Sequence, residues 1–396
     1  MRRKWFFGLS GLVLPVAAPA GLLLALRIFP RLDLAFHSAM FHLIVVSTIA
    51  ALALVVATAA AIAGSRASEH GPVWLAFGCL CVGIVMLTHG LLTPGVIGNG
   101  VNQWVGRTPY LAISLFAVGV ALAGRARNTS TSRLAARLPG LVLAVPMVTL
   151  GALLATVLSG PAGLAGSRLI PHEQAIRWVS TVADCVIFAA TAIVHWRRWR
   201  LGRDPIQYAL VVASAMSIAA LGSLAMGQVW QLSWWDYHVF LLAGFGGAVY
   251  AVAVRYHRTR AVDHILTATF DSDPMIHIVH GYPEALKSLV GEVERKDSYT
   301  HGHSKRTAEV AVQLALRVGV DDDVLRAVAR GGYLHDVGKI GIPDRILNKP
   351  GPLTAAERTV IETHPQIGHD LVDPVADLQE VVPAVLHHHE RWDGAG

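Results

Sequence analysis

Two textures divide the chain. Up to about residue 260 the apolar residues come in long, nearly unbroken runs; beyond it they recur at helical spacing among charged positions. An apolar run of roughly 20 residues can cross a bilayer as a helix. Such runs lie near 8–27, 40–63, 72–93, 110–124, 139–158, 178–195, 207–226 and 238–254, so eight spans are predicted. The fourth is short, and its helix is expected to begin earlier, around Val105. From Ala261 the pattern predicts amphipathic helices. Asp271–Pro274 breaks the connector, and a helix runs through Pro283–Arg295. Lys305–Val318 stops at Gly319, Asp321 caps Val324–His335, and Thr354 with Glu357 forms a capping box. A last helix is predicted over Val381–Arg391. No strand-length alternation competes, so the fold class is all-α: a polytopic helix bundle followed by a helical cytoplasmic domain.

Composition sharpens this division. Of the 396 residues, 53% are hydrophobic and 15% charged, against about 25% charged in soluble domains. Residues 1–260 carry a net charge of +14 and residues 261–396 a net of −8. The basic residues therefore flank apolar spans, and no nucleic-acid-binding face is expected. With the N-terminus inside, the inner segments hold 15 Lys and Arg and the outer ones only Arg27, Arg31, Arg107, Arg168 and Arg177. That alternation predicts both termini in the cytoplasm. Trp234, Trp235 and Tyr237 then fall in the last outer loop as interfacial anchors. Arg2, Arg3 and Lys4 before an apolar run also suit a signal peptide, whose cleavage would leave seven spans; the run continuing through Leu22–Leu26 favours a retained span. Cys79, Cys81 and Cys185 all lie in apolar stretches, where a thiol packs as a small hydrophobe.

Five histidines, His37, His42, His89, His172 and His238, fall near the outer ends of spans. The ordinary reading of each is a hydrogen-bonded residue at a helix end. His42 and His89 form the pair set aside as a candidate sensor site. No buried Asp or Glu is expected in mid-span, and no internal repeat suggests a transport path.

The chemistry gathers in the polar part. His303, His335, Asp336, His364, His387, His388 and His389 all stand within 303–389. Imidazoles and carboxylates suit Fe, Mn or Zn, and a carboxylate can bridge two ions. His335 and Asp336 are adjacent and, on a helix, would point about 100° apart toward one dinuclear site. Lys339 follows one turn later, placed to meet an anionic oxygen. Gly338, Gly341 and Pro343 would end the helix and let the backbone pass close by. Two ions about 3.5–4 Å apart can activate a water as hydroxide and stabilise both oxygens of a phosphoester displacement.

The linear motifs are more specific than any single pair. Lys296-Asp-Ser-Tyr-Thr-His-Gly-His303-Ser304 is followed by His335-Asp-Val-Gly-Lys-Ile-Gly-Ile-Pro-Asp344 and then Ile346-Leu-Asn-Lys-Pro-Gly-Pro-Leu-Thr354. His364-Pro-Gln-Ile-Gly368 and His388-His-Glu-Arg-Trp-Asp-Gly394 complete the series. In order and spacing these resemble the HD-GYP family over about 100 residues, the last quarter of the chain. The resemblance implies a metal-dependent cyclic di-GMP phosphodiesterase on the HD metallohydrolase fold. It makes His303, His335 and Asp336 ligands of one metal, with Asp336 bridging to a second held by His364 and His388, His389 close by, and Lys339 on the scissile phosphate. His301, His369 and His387 match no ligand position. Tyr299 stands where trinuclear members carry Glu, so two metals, iron or manganese, are expected. The family continues beyond the position of Gly396 into its Gly-Tyr-Pro signature and a last ligating Asp, so the chain is expected to be a piece or a natural truncation. The upstream Gly281-Tyr282-Pro283 precedes the His-Asp pair and takes no such role.

The reading that follows is an inner-membrane signalling phosphodiesterase that hydrolyses cyclic di-GMP to pGpG or GMP. Its expected organisation is a sensor-like membrane domain over 1–256, a connector over 257–290 and a truncated HD-GYP-like domain over 291–396. By family analogy it would be a homodimer, with the lipid bilayer and cyclic di-GMP as partners and no DNA or RNA. The alternatives are a catalytically incomplete nucleotide-binding receptor, or an HD phosphohydrolase acting on another nucleotide.

Overall fold

A computed structural model describes residues 17–97, 103–124, 134–158, 173–259, 284–297 and 302–394, apart from a few positions within these ranges. Tyr299, His172, His301, Gly281-Tyr282-Pro283, most of the 257–290 connector and the first half of the 8–27 run lie outside the described residues. The structure is all-helical, and among the described residues the only strand-like pairing is one isolated bridge, Ala35 to Gln231. The chain divides into two units, residues 1–197 with 205–272, and residues 198–204 with 273–396.

The first unit contains α1 (Ala39–Ala67), α2 (His70–Leu91), α3 (Thr108–Ala123), α4 (Pro139–Leu158), α5 (Glu173–Gly202), α6 (Pro205–Met226) and α7 (Leu232–Thr259). Among the described residues, six helices are long and apolar enough to cross a membrane, one of them running from Trp104 as the early start near Val105 anticipated. The 139–158 run is the helix α4, and residues 20–27 of the first run are also helical. Apolar side chains from α1, α2, α3, α6 and α7 form one continuous core. Cys79 and Cys81 are packed inside it, as small hydrophobes would be.

Two expectations for this unit fail. Asp184 is buried within α5, where Ser114 Oγ on α3 donates to its carboxylate at 2.5 Å. A hydroxyl from a neighbouring helix supplies the partner that a buried acid needs. Trp234, Trp235 and Tyr237 are not loop anchors: α7 begins at Leu232, and all three are buried. Their rings pack against His42 and His238, since burying large aromatic surface inside the bundle outweighs leaving it at an interface.

The second unit contains α8 (Glu284–Lys296), α9 (His303–Val318), α10 (Asp322–Leu334), a 3-10 turn (Val337–Gly341), α11 (Asp344–Leu347), α12 (Ala355–Ile361), α13 (His364–Val372) and α14 (Val382–His387). The predicted punctuation holds. Gly319 closes α9 with φ +79°, and the Asp321 side chain accepts from the backbone N–H groups of Asp323 and Val324. Both halves of the Thr354–Glu357 capping box are made. Two boundaries differ. The helix before the His-Asp pair ends at Leu334, so Asp336 opens the 3-10 turn instead of extending α10. The last helix stops at His387, because Glu390 N–H turns back to donate to the His387 carbonyl at 2.9 Å. Arg326 and Arg330 of α10 both hold Glu380, just before α14, at 3.1 and 2.8 Å.

Candidate metal centre

Seven side chains from five segments converge on one cavity of about 660 Å³, lined among others by His303, His335, Asp336, Lys339, His364, His388 and His389. His303 opens α9, His335 follows α10, Asp336 and Lys339 belong to the 3-10 turn, and His364 opens α13. The turn after α14 presents His388 and His389. Gly338 makes the packing of this turn on α13 feasible: a Cβ there would strike the backbone of His364 and Gly368.

Asp336 is the centre of the arrangement. Its Oδ2 lies 3.3 Å from His335 Nε2 and 4.0 Å from His303 Nε2, while Oδ1 lies 3.5 Å from His364 Nε2 and 3.8 Å from His388 Nε2. One carboxylate thus addresses two imidazole groups with different oxygens. His364 Nε2 is in turn 3.2 Å from His388 Nε2 and 3.3 Å from His389 Nε2.

Local backbone fixes which ring nitrogen faces the cavity. His335 Nδ1 lies 2.9 Å from the Gly332 carbonyl, His364 Nδ1 2.7 Å from that of Ile361, and His388 Nδ1 2.9 Å from that of Val385. A carbonyl can only accept, so each Nδ1 carries a proton, which leaves the Nε2 of a neutral His364 or His388 with a lone pair facing inward. Charge reinforces the donor set. Burial opposes ionisation of Asp336, but hydrogen bonds and charge from His335 and Lys339 hold its carboxyl well below the usual range. Burial pushes His388 down to about 4 and also lowers His364, which keeps both rings neutral near pH 7. His335 shifts upward: burial works against its charged form, but Asp336 and the Gly332 carbonyl outweigh it.

Lys339 is more constrained than its motif position suggested. Its ammonium sits 2.9 Å from Asp336 Oδ2 and 3.1 Å from Asp297 Oδ2. Asp297 is buried, and its place inside the first motif, beside Lys296, is the one sign of this role in the sequence. The neighbouring Lys296 donates to the Ile340 carbonyl at 2.7 Å and pairs with Asp344 at 3.3 Å, lacing the first motif to the second. His369 pairs with Asp370 at 3.0 Å, away from the cluster. His387, expected outside the ligand set, lines the cavity but turns toward Glu390 at 3.7 Å. Among the described residues, three groups of side chains are close enough to hold a metal ion. Two are His303–His335–Asp336 and His364–His388–His389; the third, His42–His89–His238, lies in the other unit.

Residues 279–396 match the HD domain family. This is a metal-dependent hydrolase fold, and the two histidine groups around Asp336 lie within it. The chain is 40% identical over 116 residues to a cyclic di-GMP phosphodiesterase of Pseudomonas aeruginosa, covering 29% of this chain and 28% of that one. It is 37% identical over 115 residues to a cyclic di-GMP phosphodiesterase response regulator of Xanthomonas campestris, covering 28% and 30%. A 3'3'-cGAMP-specific phosphodiesterase of Vibrio cholerae is 29% identical over 147 residues, covering 36% and 33%. The chain spans less than a third of the length of the first two of these relatives. No solved structure matches this chain.

Proposed function

We propose that the chain is a cyclic-dinucleotide phosphodiesterase of the HD-GYP type, carried on a polytopic membrane domain, with cyclic di-GMP as its substrate. The observation that carries this reading is the division of the Asp336 carboxylate between two groups of Nε2 donors. His303 and His335 would hold one divalent ion, His364, His388 and His389 a second, and Asp336 would bridge them. Imidazoles held through Nδ1 by backbone carbonyls at His335, His364 and His388, together with an ionised carboxylate, fit iron or manganese. Two such ions supply Lewis-acid charge and an activated water for attack at a phosphodiester phosphorus. Asp297 braces the Lys339 ammonium on the cavity wall, where it meets a phosphate oxygen and offsets the charge that grows on it. The cavity volume suits a ligand of nucleotide size.

The domain limits proposed are 1–256 for the membrane part, 257–290 for the connector and 291–396 for the catalytic part. The distribution of arginines supports a bacterial inner-membrane location with both termini in the cytoplasm, and dimerisation follows by family analogy. A second substrate, 3'3'-cGAMP, is raised by the names of the Vibrio cholerae relatives.

The test is hydrolysis of each dinucleotide by the detergent-solubilised chain loaded with Mn or Fe, beside Asp336→Asn. Linear product from the parent alone supports the reading, and the faster substrate settles the preference. No product from either, with metal still bound, would replace it with a nucleotide-binding regulatory module.

A further inference from the structure

The third histidine group lies entirely within the first unit. His42 on α1, His89 in the last turn of α2 and His238 on α7 are all fully buried, and their Nε2 atoms converge. His42 Nε2 is 2.9 Å from His238 Nε2 and 3.1 Å from His89 Nε2, and the Tyr237 hydroxyl is 2.9 Å from His89 Nε2.

Counting protons fixes two of the rings. Thr93 Oγ1 donates its single proton to the His89 carbonyl at 3.0 Å, and Thr108 Oγ1 donates its own to the Trp104 carbonyl at 3.0 Å. Each hydroxyl can then only accept from the ring it also touches, which is His42 Nδ1 at 2.9 Å and His89 Nδ1 at 3.0 Å. Both rings therefore carry the proton on Nδ1, and two bare Nε2 lone pairs face each other at 3.1 Å. Without a metal, the Tyr237 O–H and the His238 N–H can donate to these lone pairs, and a cation among them would engage the same nitrogens. Hydroxyls holding the outer nitrogen of each ring are also the usual support behind a histidine metal ligand.

We propose that His42, His89 and His238 form a mononuclear transition-metal site of the zinc or copper class, with the Tyr237 oxygen beside the fourth position. Three imidazoles without a carboxylate suit zinc or copper better than the harder ions. Metal–nitrogen bonds of about 2.0–2.1 Å in a tetrahedral site place the nitrogens about 3.3 Å apart. The His42–His238 and His42–His89 separations lie within a few tenths of an ångström of that spacing, and all three ligand atoms lie within 4.8 Å of one another. A bound ion would clamp α7 to α1 and α2, which come from opposite ends of this unit's sequence.

The experiment uses the full chain in detergent, stripped of metal, in an Asp336→Asn, His364→Ala background that disables the HD-domain centre. After equilibration with Zn²⁺ or Cu⁺ and desalting, one equivalent of metal is expected by elemental analysis. X-ray absorption should show a first shell of nitrogen and oxygen with imidazole scattering. Adding His89→Phe or His238→Phe should abolish that equivalent. Thr108→Val, which keeps every ligand, should weaken binding about 10–100-fold. Metal-free protein in the background, or retention unchanged by His89→Phe and Thr108→Val, would overturn the proposal and leave a cluster held by the His238 N–H and Tyr237 O–H alone. Hydrolysis plays no part in the readout, so the result stands whatever the fate of the phosphodiesterase reading.

Discussion

The two regions that gather histidines orient the rings in different ways. In the HD domain, His335, His364 and His388 each lie within hydrogen-bonding distance of the carbonyl three residues earlier, so short stretches of chain aim them, and one acid, Asp336, collects them. In the apolar unit no carboxylate belongs to the group, and one of the orienting hydroxyls, Thr108, comes from a different helix from its ring. The first arrangement can be written as linear motifs. The second exists only after three helices have packed. A donor set with an acid suits hard ions that act on phosphate oxygen, whereas a set of imidazoles alone suits ions that bind tightly and stay.

The largest expected effect breaks the first region alone. Asp336→Asn keeps the shape but removes the charge shared by both histidine groups; turnover of cyclic di-GMP should fall by at least about 10³-fold, the upper range for losing one transition-state contact. Retained turnover would refute the bridging role. Next, on the proposed role, in which the ammonium offsets charge that develops only in the transition state, Lys339→Met should lower kcat by about 10²-fold with the fold intact. A rise in KM alone would instead assign it to ground-state binding.

Smaller effects sharpen how local the HD centre is. Gly338→Ala forces the 3-10 turn away from α13 and should cost about 1–3 kcal/mol by thermal melting, with metal content falling as His335 and His364 separate. Glu380→Ala removes the anion that Arg326 and Arg330 share, and should cost about 2 kcal/mol. Thr354→Ala removes one half of the capping box on α12, for about 1 kcal/mol, and should leave turnover unchanged. If these three substitutions affected activity equally, the local construction of the centre would be wrong.

What could be read from the residues follows the same division. The long apolar runs, the helix stops at Gly319, Asp321 and Thr354, and the motifs that carry the cavity residues His303, His335, Asp336, His364 and His388 were all visible, because each is written in a short stretch of the chain. The end of α10 at Leu334 and of α14 at His387 was not visible, since both helices give way to turns that serve the cavity. Asp297 escaped notice because Lys339, whose ammonium it accepts from, lies 42 positions away. His42 and His89 were singled out as a pair, but their convergence with His238, separated from His42 by 196 positions, depends on how α1 and α7 meet. Local hydrogen bonding and hydrophobic period are properties of a segment, and so the sequence by itself determined the helices and the motif-borne residues that line the cavity. Which distant helices pack together is decided by the burial of whole faces, and only the tertiary structure settled the pairing of Lys339 with Asp297, the burial of Asp184 against Ser114 and the meeting of three histidines inside the bundle.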